Sequence, residues 1–234
     1  MALRFVECQS PNYDARPEGM PVDMLVLHYT GMRTADEALA RLTDPVAKVS
    51  AHYTIGRDGR VFRHVPEERR AWHAGVAWWA GSPDVNARSI GVELVNPGHE
   101  FGYIPFTDEQ IEALIALAKV IMARHPVVPR YVVGHSDVAP ARKEDPGELF
   151  PWRMLSQFGI GTWPAPDQTQ LDWPVEQALA RFGYGVQPDV DVPQEKVIAA
   201  FQRHFRPARI DGIADDETRA LLKGLLFQSG LVTG

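Results

Sequence analysis

Five side chains have types and settings suited to metal binding or proton transfer. His28 closes the apolar run Met24-Leu-Val-Leu-His-Tyr-Thr30, and His135 follows Tyr131-Val-Val-Gly134. Each imidazole thus stands where a buried strand gives way to polar residues. Asp145 lies ten residues beyond His135 in a stretch rich in Pro and Gly. Two imidazoles and a carboxylate are a common open zinc set, which leaves a fourth tetrahedral position for water. His28 and His135 are 107 residues apart, so spacing alone leaves a second reading open, two histidines hydrogen-bonded at strand ends. Glu93 sits inside the apolar stretch 89–95, where a charge is costly unless it has a partner or a task. An exposed carboxylate on a solvated sheet face is the alternative. Lys143 precedes Asp145 by two, a spacing that in extended backbone puts both side chains on one side. Its alternative is a solvated charge in the run Arg142-Lys-Glu-Asp145.

Bringing these residues together requires a sheet, and the pattern predicts one. Residues 24–30 read as a buried strand. Thr34 and Glu37 have the spacing of a capping box, which opens a helix over residues 34–42 that stops before Asp44-Pro45. Segments 52–56 and 60–65 flank Arg57-Asp-Gly59, whose Asp-Gly pair suits a tight hairpin. Residues 66–88, rich in Trp, Gly and Pro, read as a structured loop. Alternation in 89–95 turns Ile90, Val92 and Leu94 to the core and Glu93 the other way. Thr107 and Gln110 form a second capping box, and Ile111, Leu114, Ile115, Ala118, Ile121 and Met122 follow at helical spacing. A short strand at 131–133 leads to His135 and a Pro-rich loop.

Gly159-Ile-Gly-Thr-Trp-Pro-Ala-Pro-Asp167 reads as a linker, because Gly and Pro punctuate rather than propagate structure. Beyond it, residues 175–182, 194–205 and 216–226 read as three short helices, the last capped by Asp215 or Asp216. The expected division is an α/β (α+β) unit at 1–164, with a central mixed β-sheet flanked by helices, and a small three-helix domain at 165–234.

Composition narrows the function classes. The 234 residues are 45% hydrophobic and 23% charged, so the chain can bury a core of useful size. The net charge of −6 is spread along the chain without a basic patch, which argues against nucleic acid as the main partner. The single cysteine, Cys8, rules out an intramolecular disulfide framework and a cysteine-rich zinc site. No apolar run approaches the length of a transmembrane helix, and the first residues lack the apolar core of a signal peptide. A cytoplasmic location is therefore expected, with a periplasmic or outer-membrane one as the alternative.

Six motifs in order carry a resemblance: Val26-Leu-His-Tyr29, Val49-Ser-Ala-His-Tyr53, Arg70-Ala-Trp-His-Ala-Gly75, Asn86-Ala-Arg-Ser-Ile-Gly-Val-Glu93, Gly134-His-Ser-Asp-Val-Ala-Pro140 and Arg142-Lys-Glu-Asp-Pro-Gly147. Together they resemble the zinc-dependent N-acetylmuramoyl-L-alanine amidases of bacteria, which include a cytoplasmic muropeptide-recycling enzyme and an outer-membrane lipoprotein. Arg181-Phe-Gly-Tyr184, Ala200-Phe-Gln-Arg-His-Phe-Arg-Pro207 and Asp211-Gly-Ile-Ala-Asp-Asp-Glu-Thr218 resemble the small peptidoglycan-binding domain. The resemblance implies one zinc ion on His28, His135 and Asp145, with Glu93 and Lys143 catalytic. It also implies peptidoglycan fragments or the sacculus as partner. Lys48, His52, Trp72, His73 and Arg88 are the candidate substrate contacts, with Trp78 and Trp79 as further candidates to line the cleft. His64, His99, His125 and His204 are expected to be structural or exposed. The competing reading is a non-catalytic peptidoglycan-recognition module on the same scaffold.

Overall fold

The chain starts with a strand β1 (Arg4–Glu7) and a three-residue strand β2 (Tyr13–Ala15), then enters the centre of the molecule as β3 (Met24–Tyr29). The computed structural model describes residues 3–167, 173–186 and 192–232. Helix α1 (Ala35–Thr43) follows, its N-cap Thr34 accepting from the Glu37 amide. Strands β4 (Tyr53–Ile55) and β5 (Arg60–Arg63) form the expected hairpin, with Gly59 at a φ of 74° in its turn. Next come β6 (Arg69–Ala71), the single turn α2 (Val85–Arg88) and β7 (Ser89–Leu94). A short α3 (Gly98–Phe101) precedes α4 (Asp108–Arg124), which opens on the reciprocal capping box of Thr107 and Gln110. Tyr131 belongs to a tight turn rather than to the strand expected there, and β8 spans Val132–Gly134. One-turn α5 (His135–Val138) and α6 (Trp152–Ser156) come next. The C-terminal unit contributes α7 (Val175–Phe182), α8 (Gln194–Phe205) and α9 (Asp216–Gln228), the last capped by Asp215.

Six strands form one mixed sheet in the order β1-β5-β4-β7-β3-β8. The strands β4, β7, β3 and β8 run parallel, so their C-terminal ends share one edge. Open parallel sheets bind ligands at that edge. Alternation along β3 then sorts the two faces. Leu25 and Leu27 join Ile55, Ile90, Val92 and Leu94 under α4, while Met24 and Val26 face the other way. His28 continues the Met24/Val26 side, and Glu93 pairs with it in register on β7. Val133 packs on that same face, and His135 follows it at the next position of like parity.

The second face is covered by the C-terminal helices. Met24, Val26, Trp79 and Val133 share one buried cluster with Phe182, Tyr184, Phe201, Phe205 and Leu225. The expected linker is a packed strap: Trp163 touches both clusters, and the Asp167 amide donates to the Ala220 carbonyl at 3.1 Å. Gly224 makes room for it, because a Cβ there would lie 2.0 Å from the Ala165 carbonyl oxygen. The apolar surface of three short helices alone is small for an independent core, and sharing the sheet's face supplies the remainder. Among the described residues no helix is long and apolar enough to cross a membrane.

A shared core predicts that both units melt together. Phe182 is 2% exposed and packs edge-on against Trp79 and Phe205. Phe182→Ala is expected to cost about 3–5 kcal/mol and to lower one cooperative transition, followed by calorimetry. Two separated transitions, with only one shifted, would contradict the shared core.

Candidate active site

At the C-terminal edge of the parallel strands, three potential ligand atoms converge. Nδ1 of His28, Nδ1 of His135 and Oδ2 of Asp145 lie 3.0 Å from one another pairwise. All three residues are buried. β3 delivers His28, β8 delivers His135, and the Ser136 amide donates to the Asp145 carbonyl at 2.8 Å, folding the loop back on itself.

Hydrogen-bond partners assign what each atom carries. The Ser89 hydroxyl donates to the Val85 carbonyl, so its oxygen accepts from His73 Nε2 at 3.1 Å. His73 Nδ1 is then a lone pair, which accepts from His28 Nε2 at 3.1 Å. His28 Nδ1 is consequently bare. His135 Nε2 donates to the Ala74 carbonyl at 3.0 Å, and its Nδ1 is bare too. Two lone pairs and a carboxylate oxygen thus point at one another with no hydrogen to share. That arrangement is repulsive by itself and fits a cation, with the outer hydrogen bonds that orient metal-ligating histidines. His28, His135 and Asp145 form a group able to hold a metal ion.

The surroundings separate the two acidic groups. Burial works against the Asp145 charge, but His135 and His28 outweigh it: a proton entering the trio sits on an imidazole, and the carboxyl is held well below the usual carboxylate range. Glu93 is pushed well above its ordinary value by burial and by the charge of Asp145, with Lys143 opposing. Its Oε2 is sealed from solvent and has no hydrogen-bond partner among the described residues. A carboxyl raised in this way holds a proton more readily than an ordinary one, which suits it to taking and returning a proton. Glu93, Lys143, His135 and Asp145 all line one cleft of about 500 Å³, walled further by Tyr29 and Trp72.

This site is matched by known proteins. The family model for N-acetylmuramoyl-L-alanine amidase covers residues 18–148. The chain belongs to this family. A second model, "Putative peptidoglycan binding domain", matches residues 174–222. The N-acetylmuramoyl-L-alanine amidase AmiD of Escherichia coli K12 is 43% identical, over 89% of this chain and 84% of that one. Its solved complex with anhydro-N-acetylmuramic acid-L-Ala-D-gamma-Glu-L-Lys superposes with a TM-score of 0.81 at 41% identity, covering 92% of this chain and 93% of that chain. AmpDh3 of Pseudomonas aeruginosa, solved with anhydromuramic pentapeptide, gives a TM-score of 0.80 at 35% identity over 94% of this chain and 98% of that one. The 1,6-anhydro-N-acetylmuramyl-L-alanine amidase AmpD of Enterobacter cloacae is 36% identical over 61% of this chain and 83% of that one.

Within the amidase, several residues singled out from sequence stand apart from the cleft. His52 is fully buried: its Nδ1 accepts from the Gly91 amide at 2.9 Å, and Nε2 lies 3.0 Å from both Arg16 and the Arg69 carbonyl. Its role is to tie strands together, which corrects the expectation of substrate contact. Arg88 is likewise taken, by a two-pronged pair with Asp23. Lys48 is exposed on the loop ahead of Val49 and Ser50, which do line the cleft. Trp72 lines the cleft, its indole N–H donating to Asp14 at 2.7 Å. His73 lines it as well, but as the relay behind His28. Trp79 is fully buried in the shared core, and Trp78 packs beside Gly185.

Other contributors were not singled out. Ser89 orients His73, Asn86 accepts from the His73 and Ala74 amides, and Arg142 donates to the Ala74 and Val76 carbonyls. His99, expected to be structural or exposed, sits on the cleft wall bonded to Tyr29 and Glu148. Gly91 was a usable signal: a Cβ there would lie 2.4 Å from the His73 ring, and a lone glycine in a strand marks close approach.

Burial keeps His28, His52 and His73 neutral. It lowers His28 to about 4, helped by His135, lowers His52 to about 3, and drives His73 well below its usual value of 6.5. These groups take up protons in the unfolded chain near pH 6.5 but not in the folded one, so the unfolded state binds more protons below that pH. Stability of the metal-free amidase is therefore complete above about pH 6.5 and falls as pH drops toward about 4. Melting temperatures of chelator-treated protein should decline from pH 7.5 to pH 5; a flat profile would contradict neutral burial.

Proposed function

We propose that this amidase uses zinc on His28, His135 and Asp145 to hydrolyse the amide between the lactyl group of N-acetylmuramic acid and L-alanine. The observation that supports it is the meeting of two imidazole lone pairs and one ionised carboxylate beside a carboxyl of raised pKa. Two neutral nitrogens and one oxygen suit zinc among divalent ions and leave room for water and substrate. Zinc, when bound, supplies a Lewis acid that brings the pKa of water toward about 7 and polarises a carbonyl oxygen.

Glu93 takes one proton from the attacking water as its oxygen bonds to the lactyl carbonyl carbon. The same carboxyl returns that proton to the amide nitrogen as the C–N bond breaks, giving a muramoyl carboxylate and a free L-alanine amine. Lys143 faces the negative charge that gathers on the carbonyl oxygen, where fixed positive charge counts most. His73 and Ser89 keep the His28 lone pair aimed inward. Trp72 and Tyr29 are the cleft-wall groups offered to the sugar and stem peptide.

Residues 1–164 form the catalytic unit in this reading, and residues 165–234 a docked unit with peptidoglycan as its candidate ligand. The solved complexes of the E. coli and P. aeruginosa relatives with anhydromuramic peptides favour soluble anhydro-muropeptides as substrate, hence a recycling role.

Purified protein incubated with anhydro-muropeptides and, separately, with sacculi tests this by mass spectrometry. The expected result is chelator-sensitive release of peptides bearing a free L-alanine amino terminus. Cleavage of soluble fragments alone fits a cytoplasmic recycling enzyme, and cleavage of sacculi fits a periplasmic or outer-membrane one. Zinc-loaded protein that cleaves neither would favour the recognition-module reading. Glu93→Gln should abolish turnover while retaining one zinc per chain, and Lys143→Ala should lower kcat by about 10²–10³. A Glu93→Gln variant of normal rate would remove Glu93 from the mechanism.

A further inference from the structure

The C-terminal unit meets the catalytic unit at the loop that carries His135 and Asp145, through buried polar contacts. Asp137 follows His135 by two on the same helical turn and is 1% exposed. Its carboxylate accepts three hydrogen bonds, each 2.7 Å long: from the Gly134 amide and His204 Nδ1 on Oδ2, and from the Tyr184 hydroxyl on Oδ1. Two of those donors come from the C-terminal unit. The His204 ring is stacked on Trp152 at 3.8 Å and on Phe205 at 3.9 Å, which fixes the direction of its Nδ1. The preceding residue on α8, Arg203, pairs at 3.3 Å with Glu144, the neighbour of Asp145. α8 therefore grips this loop near both of the ligands it carries.

The loop has backbone bonds of its own, from Ser136 to Asp145 and from Arg142 and Lys143 to Ala139, but the turn that opens it is short. α5 is four residues long, and one turn of helix is unfavourable without outside support. A backbone bond from the Ala139 amide to the His135 carbonyl, 2.9 Å, spans it. The Asp137 carboxylate closes the turn at its start by accepting from Gly134, the residue that aims His135 out of β8. A buried carboxylate with all its donors in place is rigid, whereas losing one donor forces it to seek another partner.

We propose that His204 and Tyr184 are positioning residues of the metal site, through which the C-terminal unit holds Asp137 and so keeps His135 Nδ1 aligned with His28 and Asp145. The proposal rests on the reading of those three residues as metal ligands. It gives the C-terminal unit a task in catalysis that is separate from peptidoglycan binding. A binding module on a free tether has no need of a buried polar contact beside the metal ligands.

Zinc affinity of the full chain, measured by competition with a chromophoric chelator, tests it together with kcat and KM on soluble anhydro-muropeptide. Wild type is expected to bind one zinc ion. His204→Ala should weaken zinc by about tenfold, as loss of outer support does at other metal sites, and lower kcat with KM unchanged. His204→Asn, whose amide N–H can stand where Nδ1 stood, should restore most of both. Tyr184→Phe, which removes only a hydroxyl, should cause a smaller loss of the same kind, and it carries the test if His204→Ala does not fold. Variants that melt earlier yet keep wild-type zinc affinity and kcat would overturn the proposal, leaving the contact as structural only. A wild type that binds no zinc would instead overturn the ligand reading beneath it.

Discussion

Two bare imidazole nitrogens and one carboxylate oxygen, each 3.0 Å from the others on buried side chains, repel unless a cation joins them. Holding them there takes work from every layer of the fold. Parallel strands β3 and β8 end side by side, so side chains just at or past their ends arrive at one place. The relay from His28 through His73 and Ser89 to the Val85 carbonyl fixes the tautomer, and with it the direction of the lone pair. His135 is fixed the same way by a carbonyl, Ala74, that Arg142 also holds.

The same setting gives two nearby carboxyl groups opposite characters. Asp145 faces two imidazoles and stays ionised against the cost of burial, whereas Glu93 has no such neighbours and is driven toward its neutral form. Environments that push paired titratable groups apart are how one site supplies both a fixed charge and a mobile proton. The C-terminal helices belong to this account because they close the sheet face on which His28, Glu93 and His135 lie. Without that cover the face would be wet, and the charges in it screened.

Much of this was legible in the sequence. Apolar runs located β3 and β7, capping residues located α1 and α4, and helical spacing located α7, α8 and α9 within a few residues. The five residues first singled out by chemical type fall in or around one cleft. β1, β2 and β6 were missed because three or four residues, partly exposed, show no usable period. His52 and Arg88 misled because a motif reports that a residue belongs to the family, not which way it faces. His52 is spent on backbone groups and Arg88 on Asp23, and neither partner is near in sequence. Asp137 was invisible for a related reason: its partners Tyr184 and His204 lie 47 and 67 residues away, on elements whose docking no local pattern encodes. The linker's packing was not legible, because Gly and Pro mark where a chain turns, and a turned chain can still be packed.

The central claim is that His28, His135 and Asp145 form one metal site and that His73 stands behind it. X-ray absorption at the zinc edge of the loaded protein tests this most directly. The account predicts two imidazole ligands at about 2.0–2.1 Å, with oxygen at the remaining positions. A third imidazole would bring His73 into the coordination sphere and break the relay, and a sulfur shell would place the metal elsewhere. Either result would contradict the account.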